Sequence, residues 1–235
     1  MSLPFIPSAR GVRRCIGSGL CLVLVLLTGC VTQPPTFKLT ADAGTRIATA
    51  RRIAIVKPDV IVNQISAGGV VEKHDQWSET AGQNLSQAAS RETGFSVAPS
   101  TLGDPAAQSE LVDVRALVNT IVQNHLVFLY APDPLSTARR PLTYNVGRID
   151  RIADACDADA LLFIIASDSR ATGGRKALEL LGFAPPTATF ASAMLVDRDG
   201  TVLWFNYMIS ERIDIRDSDG AAEVMKTLLT GLPRN

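Results

Sequence analysis

Few side chains in this sequence have the chemistry to act as nucleophiles or to bind a metal ion. The 235 residues include four cysteines and two histidines, His74 and His125. A catalytic cysteine needs a nearby histidine to take its proton, and a zinc site needs several converging ligands. Neither histidine has a partner at ligand spacing. The sequence therefore predicts no metal site, no cofactor and no nucleophilic centre.

Two short stretches match ligand-binding loops only in part. The stretch "ATGGRKA" has glycines before Lys176, but Ala177 stands where a phosphate-binding loop needs a hydroxyl residue. The stretch "DIRDSDGAAEVMK" places Gly220 at the sixth position of a calcium loop, and Lys226 then occupies the twelfth, where glutamate is needed. No G-x-S-x-G elbow of a serine hydrolase is present. We interpret both stretches as turns or helix starts and predict a chain that is not an enzyme.

The first 29 residues have the layout of a secretory signal peptide. Three arginines and no acid precede an apolar run from Ile16 to Leu27. A membrane-spanning helix needs roughly 20 apolar residues. The run is shorter and contains two glycines, so a permanent transmembrane anchor is the weaker alternative.

The apolar run ends at Leu27-Thr28-Gly29-Cys30, which resembles a bacterial lipobox. The resemblance implies cleavage between Gly29 and Cys30, a diacylglycerol on the Cys30 sulfur and a further acyl chain on its amine. Two or more acyl chains hold a protein stably on a bilayer, whereas one chain holds it only marginally. Val31 rather than Asp follows the cysteine, which by analogy with enterobacterial sorting favours the periplasmic face of the outer membrane. The alternative is an ordinary cleaved signal with no lipid on Cys30.

The composition of the remaining chain excludes a nucleic-acid binder. Three of the 23 basic residues lie in the signal segment, so 20 basic and 23 acidic residues remain, a net charge of −3. Binding to nucleic acid would require clustered lysines and arginines. Cys156 is the one cysteine left besides Cys30, so no intramolecular disulfide can form in the periplasm. Because Cys156 lies on an apolar stripe with Val146 and Ile149, we interpret it as a small core residue.

Apolar runs of strand length alternate with helical periodicity from residue 51 onwards. The pattern predicts a strand in "RRIAIVKPDV", a short hairpin over 59–73, and helices over 75–94, 109–123 and 146–156. It further predicts a strand in "ALLFIIAS", a hairpin turning at Gly200 and a final helix. Residues 30–50 are predicted to be a flexible tether, and irregular segments are predicted near 124–145 and 168–186. The fold class that follows is α/β (α+β), one domain over 51–235 with a single mixed sheet covered by amphipathic helices.

The phrases "RRIAIVKPDV", "RIADACDADALLFI" and "ASAMLVDRDGTVLWFN", followed by a terminal helix, resemble a group of envelope lipoproteins. Their shared fold is the amino-terminal domain of TolB, also found in the curli secretion lipoprotein and in the lipoprotein activator of a penicillin-binding protein. The resemblance covers about residues 50–232 and matches Asp159, Asp197, Gly200 and Trp204 as turn and core residues. It implies a role in assembly or regulation through protein contacts, without catalysis.

Two apolar segments next to proline-rich turns are the predicted contact surfaces. "HLVFLYAPDPL" contains Phe128 and Tyr130, and "ALELLGFAPP" contains Phe183. We predict that these three residues bind partners, which are envelope proteins or further copies of this chain. The alternative is that they cover their own sheet. A second hypothesis for the whole protein is a periplasmic small-ligand binder or hydrolase that uses the edge of the sheet.

Overall fold

The structure is a computed structural model that describes residues 38–129 and 142–233 of the chain. The predicted signal peptide, Gly29 and Cys30 lie outside these residues. The described chain contains an eight-stranded mixed sheet and six helices, which confirms the predicted fold class. The strands are β1 (Lys38–Leu39), β2 (Ile53–Ile55), β3 (Asp59–Ile65), β4 (Val71–Lys73), β5 (Ser96–Val97), β6 (Ala160–Ala171), β7 (Thr189–Asp197) and β8 (Val202–Ser210). The helices are α1 (Ala43–Thr49), α2 (Asp75–Thr93), α3 (Pro105–Leu129), α4 (Asp150–Ala155), α5 (Gly173–Leu180) and α6 (Ser218–Leu228).

The sheet is built around β6, its longest strand. The strand order is β1-β8-β7-β6-β2-β5, and β3 pairs with the same edge of β6 as β2 does. The parallel strand β2 takes the first part of that edge and β3, also parallel, takes the second, because Lys57-Pro58 interrupts the chain between them. Proline cannot donate a ladder hydrogen bond, so a break there is expected. We call the end of the sheet where β6 finishes, at Ala171, the upper end.

Two hydrophobic layers lie on opposite faces of the sheet. On the first face, α1, α2 and α6 pack against alternate strand residues such as Leu162 and Leu195. On the second face, α3 and α4 pack against Phe163 and Phe205. The alternation along β6 is the one expected for a strand with both faces covered.

Helix α3 crosses the second face instead of following the strands. Arg115 donates to the Lys57 carbonyl beside β2 at 3.1 Å. His125, ten residues later, stacks on Phe205 of β8 with ring centroids 4.7 Å apart. The upper part of the second face lies beyond this crossing, and there Ser167 of β6 is exposed. No described helix covers that part of the sheet.

Three segments differ from the sequence prediction. The predicted tether is shorter, because residues 38–50 contain β1 and α1, whose Ala43 and Ile47 are buried in the core. The segment predicted as irregular near 168–186 contains the end of β6 and the whole of α5. The helix predicted over 146–156 begins only at Asp150.

The late start of α4 has a clear cause in backbone pairing. The Val146 amide donates to the Gly200 carbonyl at 2.8 Å, and the Ile149 amide donates to the Arg198 carbonyl at 2.9 Å. These bonds hold the chain ahead of α4 against the β7–β8 turn and out of a helical conformation. Gly200 has a φ of +79°, which confirms the predicted glycine turn.

Candidate functional site

Of the three residues predicted to contact partners, the structure describes the side chain of one. Tyr130 lies outside it, as does Cys30. Phe128 lies in the last turn of α3, but its side chain is outside the described part. Phe183 follows α5 and is 77% exposed. Of the three aromatic residues, Phe183 is therefore the one with a described surface position.

A row of side chains crosses four strands at the upper end of the second face. The register places Ile61 of β3 opposite Ser167 of β6, Ser167 opposite Phe190 of β7, and Phe190 opposite Ile209 of β8. Directly opposed residues on neighbouring strands point to the same face. Ile61 and Ile209 are 44% and 45% exposed, and Phe190 is partly buried. We call these four residues the Ile61–Ile209 row.

The Ile61–Ile209 row forms the floor of an open groove of about 370 Å³. Asn119 and Gln123 of α3 form one polar border, and Asp59 of β3 adds a carboxylate. The groove exists because α3 crosses the sheet below this level and leaves the apolar floor without a described cover. An apolar centre with a polar border is the usual anatomy of a protein-binding surface.

The opposite face at the same level holds a buried polar network that anchors the chain after β8. Asp168 is fully buried and accepts hydrogen bonds from Thr189 Oγ1 at 2.9 Å and Arg170 Nε at 2.8 Å. Thr189 Oγ1 lies 2.8 Å from the Ile213 carbonyl and Arg170 also donates to that carbonyl. Burial raises the pKa of the Asp168 carboxyl, against the opposing effect of the Arg170 and Thr189 hydrogen bonds.

The network continues through Arg216 to helix α2. Arg216 contacts both carboxylate oxygens of Asp214, which lowers the pKa of that carboxyl. The Arg216 guanidinium also lies 4.4 Å above the Trp77 ring, and Trp77 stacks on His74. Arg170 lies 3.7 Å from Asp214 and so joins the two groups, and together they fasten β6, β7, α2 and the β8–α6 connection. Their hydrogen bonds and ion pairs are made with one another, so we assign these side chains a structural role.

Cys156 and His125 are both set in apolar surroundings that disfavour their charged forms. Cys156 is half-buried against the second layer, and burial raises the pKa of its thiol, which disfavours the reactive thiolate. Its position agrees with a packing role, although it is less buried than a core residue. His125 is buried between Phe205 and Tyr144, and burial lowers its pKa to about 4.

Helix α5 and the residues after it form an exposed apolar knob. Thr172 caps the helix by accepting a hydrogen bond from the Arg175 amide. Within the described chain no residue of α5 is buried, and Leu180 and Leu181 are 89% and 67% exposed. We call Leu180, Leu181 and Phe183 the α5 knob. The sequence prediction puts Phe183 in an irregular segment, whereas the structure places it three residues after a helix, for which Thr172 as a cap residue is the signal in the sequence.

Residues 38–129 and 142–233 contain no group of three or more histidines, cysteines or carboxylates that could hold a metal ion. In the same ranges no helix combines the length and the hydropathy that crossing a bilayer requires.

Comparison with known proteins finds no matching family model and no match among curated proteins. Among solved structures, the chain is similar to the PelC dodecamer from Paraburkholderia phytofirmans. The two share 13% sequence identity with a TM-score of 0.39, over 78% of this chain and 88% of that chain. Similarity at this level assigns no family to the chain.

Proposed function

We propose that this chain is a non-enzymatic lipoprotein, anchored through Cys30 to the periplasmic face of the outer membrane, that supports an envelope assembly by binding protein partners. The lipobox-like residues before Cys30 support the anchor. The observation that carries the binding role is the Ile61–Ile209 row, three apolar side chains and Ser167 across four strands, with a polar border. Partners are envelope proteins or further copies of this chain.

The shape of the groove favours a partner segment with apolar side chains. The exposed side chains of Ile61 and Ile209 stand at the two ends of the row, with Phe190 between them. A segment laid along the row would remove these side chains from water, at roughly 25 cal/mol for each Å² of apolar surface buried. Asn119 and Gln123 would then supply hydrogen bonds at the border.

Crosslinking in intact envelopes tests the binding role. We expect Ile209→Asp to reduce recovery of crosslinked partners at least several-fold, because it places a charge in the apolar floor. Mass spectrometry of the crosslinked products gives the measurement. Val112→Asp is the matched control, since Val112 is an exposed apolar residue on α3 at 58% exposure and is not part of the groove.

The comparison between the two variants decides the outcome. Equal partner recovery from the wild type and Ile209→Asp would remove the groove as the docking surface. Equal losses from Ile209→Asp and Val112→Asp would indicate a general loss of the folded protein, which circular dichroism of both variants would reveal.

The size of the groove supports a second candidate, a periplasmic small-ligand binder. Small-molecule sites occupy about 300–1,000 Å³ and combine apolar walls with a few polar groups. The groove has this size, and Asp59, Asn119 and Gln123 are its polar groups. A ligand that raises the melting temperature of the wild type but not of Asp59→Asn would favour this candidate. The same result together with unchanged partner recovery in Ile209→Asp would replace the first proposal.

A further inference from the structure

The three apolar side chains of the α5 knob are exposed to solvent instead of packing against the described fold. Leu180, Leu181 and Phe183 are all at least two-thirds exposed, and none of the α5 residues is buried within the described chain. The helix is nonetheless well formed, with Thr172 as its cap and Arg175 paired to Glu179 and to the Pro185 carbonyl. An ordered, amphipathic segment with exposed apolar side chains is typical of a surface that contacts a membrane or another protein.

The register of the sheet places the knob at the upper end. Helix α5 directly follows Ala171, where β6 ends, and the residues after Phe183 lead into Thr189, where β7 begins. Thr189 is opposite both Asp168 of β6 and Ser210, the last residue of β8. The ends of β6 and β8 and the start of β7 therefore meet at the level of the knob.

The amino-terminal strand enters the sheet from the same end. β1 is antiparallel to β8, with Lys38 opposite Phe205 and Leu39 opposite Trp204. Traced backwards from Leu39 to Lys38, the chain moves in the direction in which β8 runs towards Ser210. Lys38, the first described residue, is therefore the end of β1 that lies nearer the upper end.

The length of chain between the anchor and the fold limits the distance to the bilayer. Eight peptide steps separate Cys30 from Lys38. At about 3.3–3.6 Å per residue they span at most about 29 Å. A lipid on Cys30 would thus hold Lys38, the end of β1 nearer the upper end, within about 29 Å of the membrane surface.

The chemistry of the knob fits the boundary between lipid headgroups and acyl chains. Two leucines and a phenylalanine provide the apolar part. Arg175 and the exposed Lys176 lie one to two turns earlier on the same helix and carry positive charge, with Glu179 as the acid on α5. Leu and Phe accompanied by Lys or Arg is the composition of segments that lie in the membrane interface.

We propose that the α5 knob is a second membrane contact, which inserts into the bilayer interface beside the lipid anchor and fixes the upper end of the sheet against the membrane. This contact depends on the anchor at Cys30 that the proposed function contains. It holds the molecule in one orientation, because a lipid on a tether alone would leave the domain free to rotate.

Tryptophan fluorescence of the full lipidated chain in vesicles tests this contact. Phe183→Trp is reconstituted in phosphatidylethanolamine and phosphatidylglycerol vesicles, with and without brominated acyl chains. We expect a blue shift of the added emission and its loss in the brominated vesicles, each measured as the difference from the wild type with Trp77 and Trp204. Val112→Trp, on α3, is the control and keeps its emission in both kinds of vesicle. Leu181→Trp is a second reporter within the knob.

The outcomes separate the contact from the anchor. Unquenched emission from both Phe183→Trp and Leu181→Trp, in protein whose Cys30 carries lipid by mass spectrometry, would overturn the membrane contact and leave the anchor standing. A blue shift that requires added envelope protein and shows no quenching by brominated lipid would assign the knob to a protein partner instead. An unmodified Cys30 would overturn both the anchor and this contact.

Discussion

At the residue scale, His125 of helix α3 is a titratable side chain that is buried in its neutral form. The ring stacks on Phe205 and meets Tyr144 edge-on. Its Nε2 atom is buried and has no hydrogen-bond partner among the described residues. Protonation would place a positive charge in this apolar setting, with Lys38 adding repulsion, and burial therefore lowers the pKa of His125 to about 4.

This lowered pKa predicts a loss of stability in acid. The unfolded chain takes up the His125 proton near its ordinary pKa of 6.5, whereas the folded chain resists it until about pH 4. Above pH 6.5 the imidazole is neutral in both states and has no effect, and as the pH falls from 6.5 to about 4 the free energy of unfolding decreases, by roughly 3 kcal/mol. Urea unfolding of the wild type and of His125→Phe over this range gives the measurement.

His125→Phe removes the titratable imidazole and leaves the other titratable groups unchanged. Burial raises the pKa of Asp168 and of Asp197, so these carboxyls act in the opposite direction in acid. Their effects are common to both proteins and cancel in the difference. We expect His125→Phe to lose less stability on acidification than the wild type. Parallel pH curves for the two proteins would contradict the assigned role of His125.

At the scale of elements, the contact between the β7–β8 turn and the chain ahead of α4 depends on two glycines. Gly200 and Gly147 both have positive φ, at +79° and +82°. A Cβ atom on Gly200 would lie 1.8 Å from the Gly147 carbonyl oxygen, which belongs to the backbone and cannot turn away. The turn and the segment can therefore approach this closely only without a side chain at position 200.

We predict that Gly200→Ala lowers the free energy of unfolding by more than about 2 kcal/mol, because the clash adds to the strain of a left-handed alanine. Chemical denaturation measures the change. Gly69→Ala is the control, since Gly69 has a φ of +81° and nothing within 4 Å of the added Cβ. It should cost about 1 kcal/mol, the price of the backbone conformation alone. Equal decreases in the free energy of unfolding for both variants would show that the close contact between Gly200 and Gly147 does not contribute to the effect.

The elements that the sequence predicts well are those whose pattern is local and long. The strand "ALLFIIAS" and the helix over residues 75–94 appear as β6 and α2, because each buries a continuous or periodic set of apolar residues. Helix α1 was missed, because in seven residues it offers Ala43 and Ile47 as its buried contacts. For helix α5 the sequence indicates a helix start in "ATGGRKA" but gives no length, because the helix buries nothing within the described chain and burial periodicity cannot mark its extent.

The candidate site was less predictable than the fold. Both faces of β8 are apolar in sequence, which predicts a central strand or one covered on both faces; β8 does lie between β1 and β7, yet its Ile209 is exposed. Its exposure depends on the angle at which α3 crosses the sheet, and that angle is set by contacts such as Arg115 with Lys57 and His125 with Phe205. Pairings between residues far apart in the chain leave no local pattern in a single sequence.

At the scale of the whole molecule, the proposed anchor predicts how the chain is processed in cells. We expect globomycin, which blocks the lipoprotein signal peptidase, to leave a longer precursor, and palmitate label to appear on the wild type. Cys30→Ala should abolish the label, whereas Cys156→Ala should retain it, because Cys156 is half-buried in the fold. Gel mobility and label incorporation give the measurements. A chain of unchanged size under globomycin, without label, would contradict the anchor.

The first thirteen described residues lie, along the chain, between the proposed anchor at Cys30 and the rest of the fold. β1 pairs with β8 through two residues, and α1 is held by its buried Ile47 and by the pairing of Arg46 with Asp197 and Asp199. Tension applied from the membrane would load these contacts before any hydrogen bond among β2, β6 and β7. Their rupture would pay out about 40 Å of chain, while the strands that carry the groove remained paired. Residues 38–50 would thus unfold first under tension from the bilayer, and the proposed binding surface would stay folded.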